Sequence, residues 1–578
     1  MNKQKAIYTE SNNCQDCYKC IRHCPVKAIK IENHLASVMY DLCVYCGICT
    51  TVCPVGAKKI RNDVHTVDYF LKQKDAVYLS LAPSFISDFK EYSESKLLNA
   101  LHELGFAAVS ETALGAEYLS AELRVWLDKQ QNGVYISTCC PTVVELVQKY
   151  YPQHIDKLTP FISPLQTHAR LIKQLHPNAK VVFAGPCIAK KEEAEFAGNM
   201  VDAVLTFKEL KEMLDTAGIM PEFMNSEDSE LFYPFGAEDG KYYPVDGGMS
   251  NTLSKGVAQT NSSYMSFSGM STVKALLENL PQSSTSPLFL ELLACDGGCI
   301  NGPGRIDPFN IVKAREDVLQ NSALEVSESK KKNFFQPVNI VADFNFNSYT
   351  DVVAYSEAEI TEVLTSIGKL TTADELNCGG CGYFTCKAFA RAILDGKAES
   401  QMCVSYMRKM AQNKASVLLH KMPYGVVIVD DKLKVIESNQ LFASIWGESS
   451  KLAYDAKPGL EGASIDKLTP LSRLFENLLD SGHERIERDL NYEGKLLHVS
   501  LFTIQKHKQV CAIVRVPGEH EVSLDDVIAR LQKVMRENML TAQKAASILG
   551  ENAANTECVI NTVIDSFTGG SAYEKDVY

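Results

Sequence analysis

Two stretches of this 578-residue chain repeat one cadence of thiols: CQDCYKCIRHCP, from Cys14 to Pro25, and CVYCGICTTVCP, from Cys43 to Pro54. Each reads C-x2-C-x2-C-x3-C-P. The chain has 19 cysteines, and they are grouped. Eight precede residue 54, five fall between 139 and 299, and four between 378 and 403; only Cys511 and Cys558 stand apart. In a reducing compartment grouped thiols bind metal more often than they bridge. A zinc ion is satisfied by four ligands in two local pairs, and eight in this cadence exceed that. Cys139 and Cys140 pose a different question, because adjacent side chains at the end of an apolar run point apart. One can then face a metal while the other does something else. Cys511 and Cys558 read as small buried apolar residues.

The N-terminal spacing matches the signature of bacterial two-cluster ferredoxins, which this chain resembles over roughly residues 5–62. In that arrangement three close thiolates bind one cube and the fourth is carried to the other. The resemblance implies one 4Fe-4S cluster on Cys14, Cys17, Cys20 and Cys53, and a second on Cys43, Cys46, Cys49 and Cys24.

From about 65 to 335 the pattern becomes alternating strands and helices. Four apolar runs end in unusual chemistry: AVYLSLAPS at Ala82, Pro83 and Ser84; GVYISTCCP at Cys139 and Cys140; AKVVFAGPCIAKKEE at Cys187 and Lys190; PLFLELLACDGGC at Cys295 and Cys299. Open α/β sheets place their sites at the carboxyl ends of buried parallel strands, so loops from four strands can build one pocket. Cys140, Cys187, Cys295 and Cys299 come from three distant loops, unlike the local pairs of a zinc knuckle.

The motifs STCCP, PCIAKKEE and LACDGGCINGPG resemble, in order, the three signatures of the FeFe hydrogenases, and LAPS and ISPLQ (Ile162 to Gln166) resemble further loops of that family. The resemblance covers roughly residues 5–310. It implies an H-cluster, a 4Fe-4S cube joined through one cysteine to a two-iron unit with CO, cyanide and azadithiolate. By position Cys140, Cys187, Cys295 and Cys299 ligate the cube, and Cys299 also bridges to the two-iron unit. Lys190 would bond one cyanide, while Ala82, Pro83 and Ser84 line the other. Cys139 would carry a proton as general acid and base.

The chain also departs from that family. Gly185 and Leu293 stand where relatives often have Met, and GPGRI replaces their Gly-Gly-Gly-Gln-Pro. On the helix TALGAEYLSAEL, Ala116 and Leu119 stand where the usual proton route has carboxylates. Glu117 and Glu122 lie near and read as helix-surface groups, while Thr159 keeps a hydroxyl of that route. These changes point to a working cofactor in an altered pocket, with slow turnover.

The third cysteine group, Cys378, Cys381, Cys386 and Cys403, has the spacing C-x2-C-x4-C-x16-C. It resembles small four-cysteine domains of redox complexes and sensory hydrogenases that bind one 4Fe-4S cluster, with zinc the alternative. Helices over EAEITEVLTSIGKL and KAFARAILDG would enclose it. Beyond it, Ala415 to Gly447 reads helix, strand, Asp-Asp turn, strand, helix, followed by later alternating strands. This order resembles a PAS sensor domain. In residues 523–550 Ser523 and Asp526 are an N-cap signal and Gly550 a stop. Leu524, Leu531, Asn538 and Ala545 alternate with Ile528, Met535, Ala542 and Leu549, a pattern for a parallel dimer helix or for a helix packed on its own PAS domain.

The expected fold class is therefore multidomain α+β and α/β. Its parts are a two-cluster ferredoxin module (1–62), an H-cluster domain of two α/β lobes (63–335), a four-cysteine 4Fe-4S domain (336–412), a PAS domain (413–520) and a C-terminal helix and tail (521–578). Cofactors would be the H-cluster and three further 4Fe-4S clusters. A hydrophobic content of 46% with 22% charged residues describes globular material. A net charge of −13 argues against nucleic acid or an anionic membrane as partner. No signal-like segment and no run of 18 apolar residues occurs, so the cytoplasm is the expected compartment.

The expected activity is reversible interconversion of hydrogen with protons and electrons. Expected partners are H2, protons, an electron carrier such as a ferredoxin, and maturation enzymes that load the two-iron unit. No histidine follows His520 and little chain is left for an ATP-binding domain. A sensory output would then pass to a separate kinase or phosphatase, from a homodimer. The rivals are a metabolic, ferredoxin-linked hydrogenase and a non-enzymatic iron–sulfur assembly relative without the two-iron unit.

Overall fold

The computed structural model describes residues 4–516 except 74, 196, 197, 199, 225–230, 256–261, 307–309, 322–330, 332 and 346–353, together with 533 and 536. The expected C-terminal helix and tail, 521–578, otherwise lie outside the described residues. The chain divides into two units, Met1–Ser356 with Ala392–Ala398, and Glu357–Arg391 with Glu399–Tyr578.

The first unit opens with two short antiparallel pairs, Ile7–Thr9 with Lys58–Ile60 and Ile29–Glu32 with Leu35–Val38. The short helices Lys19–His23 and Ile48–Val52 each carry the third cysteine of a close triplet, Cys20 and Cys49. Asp16, Tyr18 and Tyr45, beside those cysteines, have positive φ. The chain must curl back on itself there for consecutive thiols to share a centre.

Two parallel sheets follow. Strands β1 (Val77–Leu81) and β2 (Ala108–Glu111) lead into helix α1 (Ala113–Leu127). Strand β3 (Val134–Ile136) leads into α2 (Pro141–Tyr150), with Pro141 in its first turn. Then come α3 (Pro164–Leu175), β4 (Lys180–Gly185), β5 (Ala203–Thr206), α4 (Gly248–Ser254), β6 (Ser263–Ser268) and β7 (Leu288–Leu293). One sheet runs β2-β1-β4-β5 and the other β6-β7-β3. The crossovers explain why β1, β4 and β7 are buried, largely apolar runs, whereas the edge strand β6, SYMSFS, is partly exposed.

Register sets the site. Leu81 lies opposite Ala184, so β1 and β4 end level. Ile136 lies opposite Leu290, so Cys139 and the loop after β7 leave the second sheet at one end. Residues 338–345, beyond the expected boundary at 335, stay with this unit. Val341 bridges Phe161, and the Ile162 amide donates to Ile340 O at 2.9 Å.

The second unit begins with α5 (Glu357–Ser366) and α6 (Cys386–Leu394). Helix α7 (Val404–His420) follows Cys403 directly. It leads to β8 (Gly425–Asp430), β9 (Val435–Ser438), α8 (Gln440–Ile445), β10 (Arg485–Tyr492), β11 (Lys495–Gln505) and β12 (Gln509–Arg515). The five strands form one antiparallel sheet, β9-β8-β12-β11-β10. One face packs Val427, Phe442, Trp446, Phe475 and Val499; the other packs Leu419, Val426, Phe502 and Cys511. That two-sided burial explains the apolar run GVVIV in β8. Among the described residues no helix is long and apolar enough to cross a membrane.

Candidate functional site

Four loops converge where the two parallel sheets face each other. They enclose two adjoining cavities, of about 20 Å³ and about 110 Å³. The smaller is lined by Cys140, Cys187, Cys295 and Cys299, with Tyr45 and Cys46 of the N-terminal module beside them. The larger is lined by Ala82, Pro83, Ser84, Cys139, Cys140, Cys187, Lys190 and Cys299, and by Phe183, Tyr243, Met249 and Glu291. Cys140, Cys187 and Cys299 open on both.

The donor set fits an iron–sulfur centre continuing into a second group. Burial raises the Cys187 thiol to about 11, with the Cys140 charge adding to it. Burial also pushes Cys295 and Cys299 up, and the neighbouring thiols add to both. Three of the four thiols thus resist ionisation in an apolar site, and a cationic metal would remove their protons on binding. In the larger cavity Ser84 is buried and its Oγ has no hydrogen-bond partner. An orphaned hydroxyl at 1% exposure is costly unless a ligand uses it.

Lys190 reaches this cavity from a fixed turn. Its Nζ donates to Ser163 Oγ at 2.9 Å and Glu193 Oε2 at 2.7 Å. Burial alone would discharge it, but Glu193 and the neighbouring thiols outweigh that and hold its pKa above the usual range. The next residue anchors the turn. Lys191 is fully buried and donates to Asp63 Oδ2 (2.9 Å), Glu209 Oε1 (2.9 Å) and Val204 O (2.6 Å). Removing one partner of such a buried pair costs roughly 3–5 kcal/mol, so the backbone carrying Lys190 has little freedom.

Cys139 faces the larger cavity. Burial pushes its thiol up to about 12, with a Ser137 hydrogen bond and Lys190 acting in the opposite direction. Its Sγ lies 3.5 Å from Met249 Sδ, which also accepts from Ser137 Oγ at 3.3 Å. At Gly185 an added Cβ would stand 2.5 Å from the Phe183 ring, so Phe183 occupies that volume. Leu293 lines both cavities, and Met249 in α4 puts a thioether on the larger one. The altered GPGRI segment packs closely too: a Cβ on Gly47, at φ +78°, would meet the Pro303 ring at 2.5 Å.

Three polar groups here carry no motif. Glu291, inside the apolar strand β7, accepts the amides of Ser250 (2.8 Å) and Met249 (3.4 Å), and burial pushes it up to about 6. A lone carboxylate within LFLELL was the sequence signal for it, because charges are almost never fully buried without a purpose. Tyr243 bonds Ser120 Oγ at 2.5 Å and Ala116 O at 3.3 Å. Met249 and Tyr243 had no such signal.

Glu117 corrects the expectation of a surface group. Its Oε1 accepts the amides of Glu238 and Gly240, and burial raises it to about 7. A loop more than 100 residues downstream covers it. Glu122 is exposed, as read. Thr159 bonds the Thr138 hydroxyl at 3.1 Å.

The outlying cysteines are also brought together. Around Cys20, raised by burial to about 11, the charges of Cys17, Cys14 and Cys53 act. Around Cys46, raised by burial, those of Cys24 and Cys43 act, and around Cys49 those of Cys46, Cys43 and Cys24. The amides of Ala28 and Ala57 donate to Cys24 and Cys53 sulfur at 3.2 Å. In the second unit Cys381, pushed by burial to about 12, feels Cys403, Cys378 and Cys386.

Comparison with known proteins agrees with this geometry. Residues 75–303 match the family described as iron only hydrogenase large subunit, C-terminal domain. Residues 36–59 match a 4Fe-4S binding domain, and 374–405 a putative Fe-S cluster family. Iron hydrogenase 1 of Clostridium pasteurianum is 25% identical over 312 residues, 44% of this chain and 54% of that protein. A cytosolic Fe-S cluster assembly factor, the NAR1 homolog of Schizosaccharomyces japonicus, is 24% identical over 254 residues, 30% of this chain and 49% of that one. The solved FeFe-hydrogenase HydA1 of Chlamydomonas reinhardtii aligns at 15% identity with a TM-score of 0.38, over 49% of this chain and 99% of that chain. The chain spans about half the length of the first curated relatives it matches. Family match, parallel sheets and converging thiols lead to one conclusion: the chain is an FeFe-hydrogenase-like iron–sulfur protein with a mixed α/β hydrogenase domain and a ferredoxin-like 4Fe-4S motif.

Proposed function

We propose that the chain is a hydrogen- or redox-sensing FeFe hydrogenase that interconverts H2 with two protons and two electrons. The carrying observation is the adjoining pair of cavities: Cys140, Cys187 and Cys299 line both the small four-thiol cavity and the larger one, where Cys139, Lys190 and Ser84 join them. Cys140, Cys187, Cys295 and Cys299 would hold the cube, with Cys299 the thiolate that would link it to the two-iron unit. When bound, that unit supplies the redox centre at which the H–H bond is made or broken. Ala82, Pro83, Ser84 and Lys190 would orient it: the Ser84 hydroxyl and the Lys190 ammonium would donate to its anionic ligands.

Cys139 moves the proton. At neutral pH it is a thiol, since burial holds it near 12. It gives its proton to a base in the cavity and regains one from the far side. Glu291 and Tyr243 are the proton-holding groups on that far side, and Glu291, near 6, changes state close to neutrality. Electrons pass between the cube and the N-terminal clusters, for which Cys14, Cys17, Cys20 with Cys53 and Cys43, Cys46, Cys49 with Cys24 are the ligands. Cys46 beside the cube cavity supports that route. An electron carrier such as a ferredoxin completes it.

The second unit is the sensory arm. Cys378, Cys381, Cys386 and Cys403 hold a further 4Fe-4S cluster. The antiparallel sheet with helices between β9 and β10 supports a PAS-type module, reporting to a separate kinase or phosphatase.

The assembly-factor relative favours a second reading, a carrier of cubes without the two-iron unit. The larger, mainly apolar cavity, with Cys139, Lys190 and Ser84 on its wall, has no task in that reading. The test is infrared spectroscopy of protein matured with hydrogenase maturation enzymes. Bands of metal-bound CO and cyanide that respond to hydrogen support the enzyme; iron-replete protein without them supports the carrier.

A further inference from the structure

The third cysteine group and the antiparallel sheet are joined by one helix with no linker at its start. Cys403 immediately precedes α7 and is buried. The first two turns are tied to Cys403 and to residues 368–374, which precede the cysteines, in three ways. Cys403 Sγ lies 3.2 Å from Ser405 Oγ. Lys369 Nζ donates to Ser405 Oγ at 3.4 Å and to Asp374 O at 2.6 Å. Lys409 Nζ donates to Gly368 O at 3.1 Å. The helix then runs 17 residues without Gly or Pro, a rod of about 25 Å.

Its other end is clamped. Leu419 packs in the cluster with Val426, Ile428, Phe502 and Cys511 on one face of the sheet. Asn439, wholly buried, donates through Nδ2 to Leu419 O (3.1 Å) and Tyr424 O (2.6 Å). Its Oδ1 accepts the amides of Val426 (2.9 Å) and Phe442 (3.0 Å). One side chain thus joins the end of α7, the start of β8 and the start of α8. A displacement of α7 along or about its axis cannot be absorbed at that joint without breaking buried hydrogen bonds.

We propose that the cluster held by Cys378, Cys381, Cys386 and Cys403 acts as the redox input to the sheet domain, with α7 as the transmitting rod and Asn439 as the receiving joint. This rests on the reading of those four cysteines as 4Fe-4S ligands. One electron from a low-potential donor enters the cluster, its net charge becomes more negative by one, and no bond or proton need move. The amide end of α7 begins at a ligand, so the added charge attracts the positive end of the helix. The rod carries the change to Leu419 and Asn439, and so to β8 and α8. The domain then senses electron arrival, and any ligand in its own core is unnecessary to the input.

The test is hydrogen–deuterium exchange on the full, cluster-loaded chain, oxidised against dithionite-reduced, with electron paramagnetic resonance on the same samples. Peptides covering 404–410 and the Asn439-bonded amides of Val426 and Phe442 are expected to change exchange rate by about two- to fivefold, the effect of one charge at a helix end. In Cys381→Ala, which lacks the third cluster signal, neither region responds. In Ala415→Gly with Ser416→Gly, which lowers helix propensity within the rod, residues 404–410 still respond and the Val426 and Phe442 amides do not. If resonance finds the third cluster reduced and those two amides unchanged, the transmission is wrong though the cluster stands. If no third cluster signal appears and the amides respond as in Cys381→Ala, the ligand reading itself fails.

Discussion

The two sides of the larger cavity were built under different rules. The side toward the cube is made of motif residues at strand ends: Cys140 after β3, Cys187 after β4, Cys295 and Cys299 after β7. Metal geometry fixes the residue type and the backbone position of each, so few substitutions are possible. The side beyond Cys139 is made of Met249, Tyr243 and Glu291, from α4, the loop before it and the interior of β7. A proton needs only a titratable atom within reach, and any nearby element can supply it. Ligation is therefore written in the chain as a pattern, while proton transfer is written only in three dimensions.

Breaking the ligation side has the largest effect. Cys299→Ala is expected to abolish hydrogen-dependent dye reduction and to lower iron content, measured on matured protein. Cys139→Ala should leave iron content unchanged while lowering turnover by about 10²–10⁴-fold, the range of a lost general acid and base. Equal iron loss in both variants would erase the division of labour between the adjacent thiols. Glu291→Gln should lower turnover by about tenfold or more, and its effect should depend on pH. As a base in hydrogen oxidation Glu291 must be ionised, so wild-type oxidation should rise as pH passes about 6. A Glu291→Gln profile that keeps that rise would remove Glu291 from the route.

Stability offers a further contrast. Glu111 is buried, donates nothing to the cavity, and is raised by burial from 4.5 to about 7, with Lys241 and the Ala237 amide opposing the shift. Its folded pKa exceeds its unfolded one, so the folded state keeps a proton that the unfolded chain releases. Stability should therefore fall as pH rises from about 4.5 to about 7, by on the order of 3 kcal/mol. Glu111→Gln should flatten that slope in thermal unfolding. The exposed Glu122→Gln should change neither activity nor stability beyond about 0.5 kcal/mol.

These contrasts also mark what could be read without coordinates. The strand ends were legible because each apolar run stops at Pro or Cys, and a parallel sheet puts those stops on one edge. The hydrogenase family match follows the same motifs. Glu117 was misread because helix periodicity cannot reveal the 237–240 loop that covers it. Met249 was invisible because a methionine near a glycine pair has many uses, and only folding brings it 3.5 Å from Cys139. Residues 338–345 fall within the expected four-cysteine domain, yet Val341 pairs with Phe161 and extends the first unit.

The central claim is that Cys299 joins a cube to a second metal group in a cavity served by Cys139. Infrared spectra of matured wild type, Cys139→Ala and Cys299→Ala test it most directly. The expected result is CO and cyanide bands in the first two, responding to hydrogen quickly in wild type and sluggishly in Cys139→Ala, with none in Cys299→Ala. Iron-replete wild type without such bands would contradict the account.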